Sequence, residues 1–168
     1  MTEAFPVCAC VRSMGGKAGL AAFKFTTMPI LNYTTKITPE KTVSEIQARL
    51  VKNGARQMNF DYSEEGILRA LTFRMDFEAV PIYFSLTPDF DGVLRAMQRE
   101  KAPKNLLTME QACRVAWRIE KDWLEAQLAK IESGLASPLQ LLLPYAVAKD
   151  GSTFFQKIAA TGTKLLMQ

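Results

Sequence analysis

RQMNFDYSEEGILRALTFRMDFEAVPIYFSL, residues 56–86, decides the fold. Met58, Phe60 and Tyr62 alternate with Gln57, Asn59 and Asp61, the period of two that marks a half-buried strand. Ser63-Glu64-Glu65-Gly66 reads as a turn. Beyond it, Leu71, Phe73, Met75 and Phe77 fall on one face, with Thr72, Arg74 and Asp76 on the other. Val80, Ile82, Phe84 and Leu86 form the next inward row. Pro81 has no N–H for a ladder, so this third strand belongs at an edge or an irregular position. Together these make a three-stranded antiparallel meander with one buried and one solvated face.

Working upstream, Leu31, Tyr33, Thr35 and Ile37 alternate with Asn32, Thr34 and Lys36, which predicts a further strand. Thr42-Val43-Ser44-Glu45 has the form of a capping box. Val43, Ile46 and Leu50 follow at helical spacing, and Gly54 stands at the C-terminal cap position. Downstream the pattern is helical. Thr87-Pro88-Asp89 starts one helix with an apolar stripe of Phe90, Val93, Leu94 and Met97. Thr108 and Gln111 open the longest element, about residues 109–133, which ends at Gly134. One of its rows is Ala112, Ala116, Ile119, Trp123 and Ala126; a second is Cys113, Trp117, Leu124 and Leu128. Trp117 and Trp123 are six apart, so one belongs in the core and the other at a seam. Glu110–Arg114, Arg118–Asp122 and Lys121–Glu125 are supporting pairs four apart. Ser137-Pro138 begins a short leucine-rich turn, and Ser152 or Thr153 caps a last helix.

The expected fold is therefore α+β: an antiparallel sheet of about four strands, in the order strand-helix-strand-strand-strand, with C-terminal helices on one face. The expected buried set is Ile37, Ile46, Leu50, Phe60, Phe73, Met75, Ile82, Phe84, Leu94, Ile119 and Trp123. Residues 1–28 lack this periodicity until Phe23 and Phe25 and read as a tail or an added strand; residues 29–168 read as a single domain.

Composition narrows the function. With 48% hydrophobic and 23% charged residues, the 168-residue chain is built like an average globular domain, which excludes disorder throughout. No apolar run reaches the length of a membrane span, and Glu3 and Arg12 bracket only a weakly apolar stretch, so neither an anchor nor a secretory signal is expected and the location is read as cytoplasmic. Cys8, Cys10 and Cys113 read as free thiols, since zinc wants four such ligands. There is no histidine, which removes Ser-His-Asp and Cys-His nucleophile systems and helical His-based zinc sites. Gly15-Gly16-Lys17 fails as a phosphate loop, because Val11 stands where the first glycine belongs and Ala18 follows the lysine. No cofactor is expected. Carboxylates gather at Asp61, Glu64 and Glu65 and at Asp76, Glu78, Asp89 and Asp91. They leave a metal-dependent enzyme as a third reading.

The formal net charge is +4, half of it in residues 1–28, so any polyanion contact must come from a local cluster. Arg95, Arg99, Lys101 and Lys104 form that cluster, opposed only by Glu100; Arg95 and Arg99 share a helix face. Such a group either contacts phosphates or simply suits the negative pole of a helix end. Arg114 and Arg118 are the next candidates for a binding surface.

Asn32-Tyr33-Thr34-Thr35-Lys36-Ile37, the stretch Ala112 to Trp123 and Leu142-Leu143-Pro144-Tyr145 together give residues 30–168 a resemblance to small proteins carried by bacteriophages and prophages. The resemblance implies no activity, cofactor or site residue, but proteins of this kind often act by binding. The leading expectation is a non-enzymatic accessory protein that binds a nucleic acid or a nucleoprotein complex, a class that includes anti-CRISPR inhibitors of host defence. The alternative is a protein-interaction or self-assembling module, a homo-oligomer or a partner of an acidic protein surface, with no membrane involvement.

Overall fold

A computed structural model describes residues 29–77 and 80–161. Helix α1 (Pro39–Lys52) leads into strands β1 (Gln57–Tyr62), β2 (Leu68–Phe77) and β3 (Val80–Leu86), followed by α2 (Phe90–Arg99), the long α3 (Met109–Glu132), α4 (Pro138–Leu142) and α5 (Phe154–Thr161). Short 3-10 turns at Lys104–Leu106 and Leu143–Tyr145 join the later helices. The protein is α+β, with the three strands antiparallel in the order β1-β2-β3. The expected tail at residues 1–28 lies outside the described residues.

The meander forms as its alternation dictates. Phe73 lies opposite Phe84, and the two rings stack with centroids 5.5 Å apart. Leu71, Phe73, Met75, Phe84 and Leu86 are buried under the helices. The 63–66 turn closes with Gly66 N–H donating to Ser63 O, at a φ of 76° that favours glycine. Asp61 faces Ala70 but Tyr62 faces Leu68, so β2 carries one extra residue there. That bulge returns Leu68 to the buried face, where its carbonyl accepts from Trp117 Nε1 at 3.2 Å.

Helix α3 holds the second row, Cys113, Trp117, Leu124 and Leu128, in the core. Trp117 is the core tryptophan; Trp123 is half-buried and packs on Tyr145 at 4.7 Å, closing the seam to the α4 region. Thr108, Asp89 and Ser137 each accept a hydrogen bond from the backbone N–H three residues on, and Thr153 and Gln156 cap α5 reciprocally.

Several expectations need correction. Residues 31–37 form a turn and an extended segment, not a strand. Gln111 Nε2 donates to Tyr33 O at 2.9 Å and Thr35 O at 2.8 Å, occupying carbonyls that a ladder would have used. Helix α1 starts four residues before the Thr42 box: Thr38 is the cap and Pro39 the first residue, while Thr42 is buried and donates to Thr38 O. Arg118 does not pair with Asp122; its Nη1 lies 2.8 Å from Glu45 Oε2, and Asp122 accepts from Asn32 Nδ2 instead. Of the expected buried set, Phe60 is exposed, at 39%, near the outer edge of the sheet; Ile37, Ile82, Leu94, Ile119 and Trp123 are half-buried.

Candidate functional site

Arg95 and Arg99 stand one turn apart on the outer side of α2, whose Met97 points into the core. Their side chains are 64% and 76% exposed, and their nearest carboxylates, Asp89 at 3.5 Å and Glu100 at 3.9 Å, make long, water-screened pairs. The helix then ends in a Schellman turn. Ala102 N–H donates to Met97 O, and Lys101 N–H to Gln98 O. The residue at the left-handed position of this turn is not glycine but Lys101, with φ 56°. A side chain there costs about 1 kcal/mol relative to glycine. Lys104 follows at the start of the next 3-10 turn, also exposed. Arg99, Lys101 and Lys104 thus follow one another at the C-terminal end of α2, while the Arg95 guanidinium reaches back toward Asp89, the cap at the other end, and the turn that positions Lys101 is strained.

Arg114 and Arg118 are not part of that surface. Arg114 is held by Glu110 and Gln111. Arg118 reaches across to Glu45 on α1, which also lies 3.6 Å from the ammonium of Lys121. Lys121 is buried at 7% exposure and bonds Glu125 at 2.9 Å; that hydrogen bond holds the Glu125 carboxyl below its usual range. These charges tie α1 to α3. The role of Lys121 was not fully legible from spacing, because one of its three carboxylate partners, Glu45, comes from another helix.

The carboxylates at the helix starts have structural explanations. Asp89, Glu40, Asp91 and Glu110 sit at the N-termini of α1, α2 and α3, where negative charge complements the helix dipole. Among the described residues no group of three or more carboxylates or thiols is arranged to hold a metal ion. A cleft of about 290 Å³ opens among these helix starts, lined by Pro39, Ile67, Leu68, Met109, Arg114 and Trp117. Cys113 borders it, with its thiol pushed up by burial first and by Asp91 second, away from the reactive thiolate.

Among the described residues no helix is long and apolar enough to cross a membrane. No protein-family model, curated protein or solved structure matches the chain.

Proposed function

We propose that the protein is a non-enzymatic binding module that engages a nucleic acid or a nucleoprotein complex through Arg95, Arg99, Lys101 and Lys104. The observation that carries this reading is a run of four exposed cations along and just past α2, three of them at its C-terminal end and one of these, Lys101, held in a backbone conformation that a lysine adopts at a cost. The turn itself requires the left-handed conformation, but a lysine rather than glycine at that position is a cost that points toward function. Guanidinium groups free of short carboxylate contacts match phosphates in geometry, and each phosphate neutralised adds to a salt-dependent attraction. An accessory protein of the phage type, including an inhibitor of a host defence complex, fits this chemistry.

The test is binding of labelled single-stranded and duplex nucleic acids to the full chain across a salt series. With about four phosphates contacted, the log-log salt slope should lie near −3 to −4. Reversing Arg95 and Arg99 to Glu should abolish binding while leaving the melting temperature nearly unchanged. Failure of the wild-type protein to bind either form at low salt would reject direct nucleic-acid recognition.

A further inference from the structure

We infer that α2 enters the major groove of a B-form DNA duplex and that Gln98 reads a base edge there. The inference rests on the polyanion reading of this surface and names the form of nucleic acid that it takes. Helix α2 packs on α3; its Met97 is buried, and Val93 and Leu94 are half-buried. Its exposed residues are Asp91, Arg95, Gln98 and Arg99. At 3.6 residues per turn these four fall within roughly a third of the helix circumference. The exposed side is therefore a single polar stripe, and Gln98 shares it with both arginines.

Charge and surface chemistry select the occupant. Asp89 and Asp91 make the start of α2 acidic, whereas Arg95, Arg99, Lys101 and Lys104 occupy its later turns and the segment beyond. A polyanion is met along that C-terminal part, and Gln98 lies within it. The Gln98 amide makes no hydrogen bond among the described residues. A primary amide sets a donor beside an acceptor, the pair that matches N7 and N6 of adenine in the major groove. Single strands are gripped by stacking bases on aromatic rings. None of the exposed residues from 91 to 105 is aromatic, so this surface offers a single strand no stacking platform. An A-form duplex hides its base edges in a deep, narrow major groove. The B-form groove, about 12 Å wide, admits a helix. The cations then hold phosphates while the amide supplies sequence preference.

Selection by the full chain from a randomised DNA duplex pool tests this, followed by competition with the separated strands and with an RNA duplex of the selected sequence. The wild type should enrich a short motif containing adenine and bind that duplex about tenfold or more tightly than either competitor. Gln98→Ala should lose the adenine preference, about tenfold, at an unchanged salt slope, because a neutral amide neutralises no phosphate. Its melting temperature should match the wild type's, which separates lost readout from misfolding. Arg99→Ala should do the reverse: a salt slope smaller by about 0.9, with the preference kept. Duplex binding without a motif, a motif that Gln98→Ala leaves intact, or tighter binding of the single strand or the RNA duplex overturns this inference alone. Absence of binding to every form at low salt overturns the polyanion reading with it.

Discussion

Helices α2 and α3 each carry two arginines four residues apart, and the two pairs have opposite fates. Arg95 and Arg99 stay in water, with carboxylates no closer than 3.5 Å. Arg118 is 80% buried at the side chain and closes a bridge between two helices. Both pairs are i,i+4 repeats on amphipathic helices. What differs for Arg118 is that another element brings a carboxylate, while Arg114 is held by Glu110 on its own helix. Glu45 reaches Arg118 from α1, 73 residues away in sequence, whereas among the described residues no other element brings a carboxylate to Arg95 or Arg99. A repeat of like charges therefore reads as a binding surface only when no distant partner claims it.

Breaking the buried side of the comparison should have the largest effect on stability. Lys121→Ala removes the ammonium shared by Glu45 and Glu125 and should cost about 2–3 kcal/mol, less than a fully buried pair because the carboxylates are partly solvated. Arg118→Ala should cost about 1–2 kcal/mol, and Arg95→Ala or Arg99→Ala less than about 0.5 kcal/mol. Chemical denaturation at neutral pH checks all four. The folded Glu125 carboxyl is held low, so its contribution is complete above the unfolded carboxylate range and is lost as pH falls through the lower folded value. Near-equal costs for the two arginine pairs would erase the distinction.

These outcomes bear on what the sequence could tell. The meander was legible because its alternation is local and its burial follows from a single face. The long helix was legible from Thr108, Gly134 and two apolar rows. The segment 31–37 has the same alternation as the meander, but its carbonyls are taken by Gln111, and a side-chain amide 76 residues away leaves no local mark. Phe60 looked like a core residue for a related reason: its period is right, but coverage depends on how far the helix layer extends. For the candidate site, clustering and exposure of the α2 cations were legible. The left-handed Lys101 was not, since the rule expects glycine there.

Glu120 sharpens the comparison from the acidic side. It lies on α3 like Arg118, but among the described residues it makes no hydrogen bond or ion pair, and burial pushes its carboxyl up. A raised folded value means that its contribution to stability is present below the unfolded carboxylate range and is lost as pH rises through the folded value. Glu120→Gln should therefore stabilise the protein by about 1 kcal/mol at neutral pH, with the gain vanishing near pH 4. Denaturation midpoints measured at the two pH values decide this. A gain that does not depend on pH would mean that ionisation of Glu120 is not its source, and a loss of stability at neutral pH would mean that Glu120 finds a cation.

At Lys101 fold and function pull in opposite directions. The Schellman turn at the end of α2 needs a left-handed residue, and φ 56° is reached by glycine without strain. Lys101→Gly should stabilise the native state by up to about 0.5–1 kcal/mol, partly offset by glycine's greater freedom in the unfolded chain. The same change removes one of four exposed cations. If that cation meets a phosphate, the salt slope of nucleic-acid binding should fall by about 0.7–0.9 and affinity at low salt should drop. Lys101→Asn separates the two roles, because asparagine tolerates the left-handed region while carrying no charge. Both variants should bind less well and neither should melt lower. Loss of stability in both would show that the lysine stem packs against the helix end, and unchanged binding in both would remove Lys101 from the surface.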